Sequence, residues 1–217
     1  MDFFISDCHF GHQNIIKHCN RPFESVSDMH TKMIESWNSV VTSHDRVFVV
    51  GDVFLCDEEE ASKIMSKLNG YKILIAGNHD RSERTMLRVG FDEYHREYSY
   101  SLGDIGQALL KHYPLPDRVI KEKGYDCLIH GHLHHPPHSD GLKVNVAADL
   151  INFTPVDVNY IRRILSHCES NEDNEMLDLE FNDEILKLNL EIRVEDFSGS
   201  VDHIYSILRK YWLEGKK

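Results

Sequence analysis

No stretch of this chain approaches the apolar length of a membrane span. Its opening residues, Met1-Asp2-Phe3-Phe4, carry neither the basic segment nor the cleavage pattern of a signal peptide. Cysteine is sparse: Cys8, Cys19, Cys56, Cys127 and Cys168 are odd in number and form no Cys-x-x-Cys pair. That argues against a disulfide framework and fits a reducing cytoplasm, which is the expected setting. Positive charge is scarce too. The formal net charge is −12 and no Lys/Arg cluster stands out, which argues against a long nucleic acid as partner. A small phosphorylated substrate held by metal remains compatible with an acidic surface. Internal repeats and low-complexity linkers are missing, so 217 residues read as one domain, or one domain with an appendage.

What the chain has in abundance is histidine, 15 in all, and their spacing carries information. Phe3-Phe4-Ile5 reads as a buried strand running into Asp7-Cys8-His9. Extended backbone would put Asp7 and His9 on one face and turn Cys8 away. Val47 to Val50 is a second buried strand, ending in Gly51-Asp52. Ile73 to Ala76 is a third, ending in Gly77-Asn78-His79-Asp80. Tyr94 to Leu110 alternates weakly around Gly103 and reads as a hairpin that delivers His112. Cys127-Leu128-Ile129 leads into His130-Gly131-His132-Leu133-His134-His135, where the same rule puts His130, His132 and His134 on one face. Leu142 to Ala148 is the last core strand.

Helices fall between these strands. Gln13 to Cys19 is a short one. Val26, Met29, Met33, Trp37, Val40 and Val41 recur at helical spacing, with Ser25 or Ser27 as the candidate cap. Glu58 to Leu68 and Ser82 to Val89 follow. Thr154-Pro155-Val156-Asp157 has the N-cap, first-turn proline and acid of a helix start, and that helix is expected to reach about His167. Strands alternating with helices make this an α/β layered protein.

Five strand ends therefore carry ligand-type side chains: Asp7/His9, Asp52, Asn78/His79, His112 and His132/His134. Strand ends on one side of a sheet converge, and a hydrophobic core has no use for that many imidazoles. Taken as a set, Asp-x-His, Gly-Asp, Gly-Asn-His-Asp, a lone His and Gly-His-x-His, in this order, resemble the calcineurin-like metallophosphoesterases. The Asn20-Arg21-Pro22-Phe23 turn and the Asn145 to Pro155 stretch resemble small bacterial or phage members of that family.

The resemblance implies a four-layer αββα sandwich of two mixed sheets over residues 1–167. It implies two divalent transition metals, with Mn²⁺ first and Fe, Ni²⁺ or Zn²⁺ as alternatives. Asp7, His9 and His134 would hold one; Asn78, His112 and His132 the other; Asp52 would bridge them. His79 would act as general acid and Asp80 would orient its ring. Phosphoester hydrolysis by metal-activated water follows, on a small nucleotide-derived diester or monoester. A nuclease on the same scaffold and a catalytically silent protein-binding scaffold are the alternatives. His12, Arg21, His135 and His138, as neighbours of the motifs, are expected to touch substrate, and His130 to sit behind the ligands.

Residues 168–217 read as a C-terminal extension. An acidic loop precedes two alternating runs, Leu177 to Phe181 and Leu186 to Val194, which read as a β-hairpin, with a helix the alternative for the leucine-rich second run, and Ser200 opens an amphipathic helix. A hairpin must cover something. The chain's own sheet edge or outer helix layer would serve, and so would the same surface of a second copy, giving a homodimer.

Overall fold

The computed structural model describes residues 1–135 and 141–169. His138 and the hairpin-helix extension expected beyond residue 169 lie outside these residues.

The described chain builds two mixed sheets. β1 (Asp2–Ile5), β2 (Arg46–Val49), β3 (Tyr71–Ile75) and β4 (Glu93–His95) run parallel, and β9 (Val156–Asp157) joins antiparallel, in the order β4-β3-β2-β1-β9. The second sheet is β5-β6-β7-β8: β5 (Tyr98–Ser101) pairs antiparallel with β6 (Gln107–Leu110), and β7 (Cys127–His130) and β8 (Lys143–Asn145) continue parallel. Six α-helices accompany them among the described residues.

The apolar runs are continuous because these strands are buried on both faces. Alternate residues divide between two cores. Phe3, Ile5, Val47, Val49 and Leu74 face a helical layer; Phe4, Phe48, Val50, Ile73 and Ile75 face the second sheet. That sheet answers with Ala108, Leu110, Cys127, Ile129, Val144 and Val146. Its other face meets α5 (Asp117–Glu122), where Ile120 packs on Leu109 and Leu128. In the helical layer, α2 (Val26–Val40) buries Met29, Met33 and Trp37 and is capped by Ser25, whose hydroxyl accepts from the Asp28 amide at 3.1 Å. α3 (Glu58–Met65) and α4 (Glu83–Val89) bury Ala61, Ile64, Met65, Met86 and Val89 behind caps at Asp57 and Ser82. α1 (Gln13–His18) contributes Ile15.

Two expectations need correction. Tyr94 and His95 belong to β4 of the first sheet, so the hairpin spans only Tyr98 to Leu110. Thr154-Pro155 does not open a helix: Val156 pairs with Phe4, and Asp157 with Phe3, as edge strand β9. The edge of β1 needed a partner, and a strand beginning just after proline can supply one. α6 (Val158–Glu169) starts after it, and Asp157 Oδ1 accepts from the Tyr160 amide at 2.8 Å.

Backbone contacts tie the two sheets together at their C-terminal ends. The Ser6 amide donates to Val146 O at 2.8 Å, and the Ala148 amide to Ser6 O at 2.9 Å. The loops that leave β1, β2, β3, β6 and β7 emerge here, and they carry the ligand-type residues.

Candidate metal centre

The loop after β1 is not extended. Asp7 (φ 55°), His9 (φ 51°), Asp52 (φ 56°) and His132 (φ 71°) all adopt left-handed backbone. The two-residue alternation expected for Asp7/His9 and for His130/His132/His134 is therefore not what aligns them. Each such residue costs of order 1 kcal/mol or more, and the surroundings hold it. The Asp7 amide donates to Gly51 O (2.9 Å) and the His9 amide to Asp52 O (3.0 Å), lacing the first two strand ends together. The His132 amide donates to Asp7 Oδ2 at 2.8 Å, and Ser6 Oγ donates to the same oxygen at 2.6 Å.

Glycines allow this approach. A Cβ on Gly77 would collide with the Asp52 carboxylate and lie 2.7 Å from its amide nitrogen; one on Gly131 would strike Ser6 Oγ and Asp7 Oδ2. We expect Gly77→Ala to push Asp52 aside and weaken metal uptake about tenfold or more, as displaced supporting contacts do at metal sites. Calorimetric metal titration checks this, and unchanged affinity would contradict it.

Side chains from the strand ends form two groups. Asp7, His9 and His134 offer atoms all within 4.8 Å of one another, and so do Asp52, His112 and His132. Asp52 Oδ2 stands between the groups, 3.9 Å from His9 Nε2 and 3.4 Å from His112 Nε2. Asn78 Oδ1 lies 3.1 Å from His112 Nε2. All seven residues expected to hold metal are thus brought together. Their polar atoms fit a cation. Asp7 Oδ1 and both ring nitrogens of His9 are buried without a hydrogen-bond partner, which native proteins seldom tolerate. Val50 O can only accept, so His112 Nδ1–H donates to it at 2.9 Å. That leaves the Nε2 lone pair aimed at the oxygens of Asp52 and Asn78. Acceptors facing one another need a proton or a cation between them. The nitrogen and oxygen donor set suits borderline divalent metals. These His/Asp groups are consistent with a binuclear site.

The electrostatics of the metal-free centre divide between its histidines. Burial, with His134 and Arg21 nearby, pushes His9 well down, which leaves the neutral ring that a metal requires. Burial raises the Asp52 carboxyl, but in the metal-free protein a proton on His112, standing where a cation would, outweighs it through its hydrogen bond and charge, so Asp52 is held low. Burial also opposes a charged His134. Hydrogen bonds to Asp149 and Cys19 override that and hold the ring up at about 10, so without a cation His134 carries on Nε2 a proton that a bound metal would displace. Cys8 is fully buried and its thiol is driven far up by burial, so it offers no thiolate and serves as packing.

Other expected site residues divide. His79 is half exposed at the edge of the centre, its Nε2 3.9 Å from Asp52 Oδ2, and its backbone N–H donates to Asp52 Oδ1 at 2.9 Å. Asp80 does not orient the His79 ring. Its Oδ2 accepts from the Asp52 and Gly77 amides (2.9 and 2.8 Å) and its Oδ1 from Val53 (3.0 Å). A carboxylate saturated by three amides cross-ties the second and third strand ends instead. The His12 ring lies 5.5 Å from that of His9, and His135, next in the chain after His134, is exposed. His130 is buried, with Nδ1 on Gly131 O at 2.8 Å.

Arg21 cannot be a substrate contact, because it is 4% exposed and fully engaged. Its Nε and Nη2 fork onto Asp149 (2.9 and 2.8 Å), and Nη1 and Nη2 donate to Cys8 O and Asp7 O (2.8 and 2.7 Å). Sequence reading missed Asp149. The available signal was a lone acid in an otherwise uncharged run from Val144 to Val156. Tyr113, exposed and 4.6 Å from the His132 ring, was also passed over.

No family model matches the chain. An uncharacterized protein, MJ1445, from Methanocaldococcus jannaschii is 32% identical over 173 residues, covering 75% of this chain and 90% of its own. The Gene 66 protein of Mycobacterium phage L5 is 28% identical over 160 residues, or 61% of this chain and 77% of the phage protein. Among solved structures, AQ665 from Aquifex aeolicus, a protein of unknown function, superposes with a TM-score of 0.64 at 26% identity over 76% of this chain and 98% of that one. With an archaeal relative matched over nine-tenths of its length, the chain belongs to one family with MJ1445, and the complete motif set gathered at one end of two mixed sheets gives it a metallophosphoesterase-like fold with His/Asp metal-site groups.

Proposed function

We propose that this protein hydrolyses a small phosphoester, nucleotide-derived and either a diester or a monoester, using two divalent metals. We read the layering of helices, two sheets and α5 as the family's αββα arrangement. The observation that carries the proposal is the position of Asp52 Oδ2 between two groups of otherwise unpartnered ligand atoms. Asp7, His9 and His134 would hold one cation, Asn78, His112 and His132 the other, and Asp52 both. Cations bound there supply Lewis acidity to phosphate oxygens and to an attacking water.

The chain's own residues do the rest. Amide donors fix the Asp52 and Asp80 carboxylates, so the centre is organised before substrate arrives. His79, half exposed and 3.9 Å from Asp52 Oδ2, is placed to give a proton to the leaving oxygen. The net charge of −12 favours a short substrate over a polymer.

Chelation is expected to abolish turnover, and Mn²⁺, Fe²⁺, Ni²⁺ or Zn²⁺ returned singly should restore it, Mn²⁺ most fully. A panel of nitrophenyl phosphate mono- and diesters, small cyclic and linear nucleotides and oligonucleotides reads the substrate class. Full activity in chelator would overturn the proposal. A steep salt dependence of substrate binding, the mark of counterion release from a polymer, would replace it with a nuclease.

A further inference from the structure

Two stretches of sequence stood apart from the ligand motifs: the Asn20-Arg21-Pro22-Phe23 turn and the run from Asn145 to Pro155. The structure packs them on each other. Phe23 meets Phe153 edge-on at 4.7 Å, and the Arg21 guanidinium lies 5.3 Å over the same Phe153 ring. The fork from Arg21 to Asp149 joins them at the centre.

The consequence falls on one of the two ligand groups. Asp149 Oδ2 accepts from His134 Nδ1–H at 2.7 Å, which fixes the tautomer and turns Nε2 to within 3.7 Å of Asp7 Oδ1. The same guanidinium holds the carbonyls of Asp7 and Cys8, two links of the left-handed loop that presents Asp7 and His9. One buried cation therefore governs all three members of the Asp7/His9/His134 group. It makes no hydrogen bond to His112, Asn78 or His132. A rival reading of the cluster is a further metal on Cys19, His134 and Asp149, whose donor atoms also lie within 4.8 Å of one another. The guanidinium already forked onto Asp149 supplies the positive charge there.

We infer that Arg21 and Asp149 are positioning residues that set the affinity of the Asp7/His9/His134 metal position selectively, leaving the other position to its own supports. The inference rests on the two-metal reading of the centre. Outer partners of ligating histidines typically contribute 10- to 100-fold in metal affinity.

The test is Mn²⁺ titration of metal-stripped full-length protein by calorimetry, with elemental analysis of the loaded forms. The parent should take up two ions. Asp149→Asn and Arg21→Lys should each weaken one binding event by about 10- to 100-fold and leave the other within about twofold. Arg46→Lys breaks a comparable fork, onto Asp2 at the far end of the sheet, and should change neither event. Equal weakening of both events, or none, would overturn the inference while the two-metal reading stands. A parent that binds no metal would overturn both. A readout free of substitutions uses ¹⁵N-labelled, Zn²⁺-loaded parent protein. His134 should show a protonated Nδ1, and a proton on Nε2 instead would also overturn the inference.

Discussion

Asp52→Asn is expected to empty both metal positions and abolish turnover. The amide keeps the shape of the carboxylate and can still accept, through Oδ1, from the His79 amide that now donates to it. What it loses is charge at the point between His9 Nε2 and His112 Nε2. A bridging carboxylate neutralises two cations at once, so the loss reaches both positions. Removing a neutral ligand such as Asn78 reaches only one. Elemental analysis should fall from two ions per chain toward none, with activity falling together with metal. The folded state should persist without metal, because the strand-end loops are tied by amide bonds that do not pass through Asp52 Oδ2. A variant that retained one tightly held ion would show that Asp52 serves a single position and that the centre is two separate sites.

The ligand-type residues were legible in the sequence because each follows a run whose burial is compositional. Phe3-Phe4-Ile5, Val47-Phe48-Val49 and Ile73-Leu74-Ile75 are apolar on both faces, and polar heads directly after them have only the strand ends to occupy. The conformation of those ends was not legible. Asp7, His9, Asp52 and His132 adopt positive φ without being glycine, and residue type alone gives no sign of it. The residues still converge, but through cross-strand amide bonds. Long-range partners were equally hidden. Arg21 and Asp149 are 128 positions apart, and an arginine beside a motif reads as a substrate contact until its burial is known. Asp80 misled in the same way. Adjacency to His79 suggested an Asp–His pair, whereas the backbone amides of Asp52, Val53 and Gly77 claim both oxygens. Thr154-Pro155 carries true helix-start chemistry, overridden by the hydrogen-bonding demand of the β1 edge.

His79→Gln should leave two metals bound and lower kcat by on the order of a hundred-fold or more for substrates with poor leaving groups. The side chain permits this separation. It is half exposed, and its Nε2 lies 3.9 Å from Asp52 Oδ2, the longer of the imidazole approaches to that oxygen alongside His9. The contact that ties this position to the centre is its backbone N–H on Asp52 Oδ1, which glutamine preserves. Metal content and KM should therefore change little. The diagnostic is the leaving group. An alkoxide such as a ribose oxygen needs a proton as its bond to phosphorus breaks; a nitrophenolate does not. Across a series of aryl and alkyl esters, the ratio of parent to variant kcat should shrink steadily as the leaving group's pKa falls, approaching one for the nitrophenyl esters. A loss of equal size for every ester would mean that His79 acts on the phosphoryl group or on the ligand geometry, and the general-acid assignment would fail.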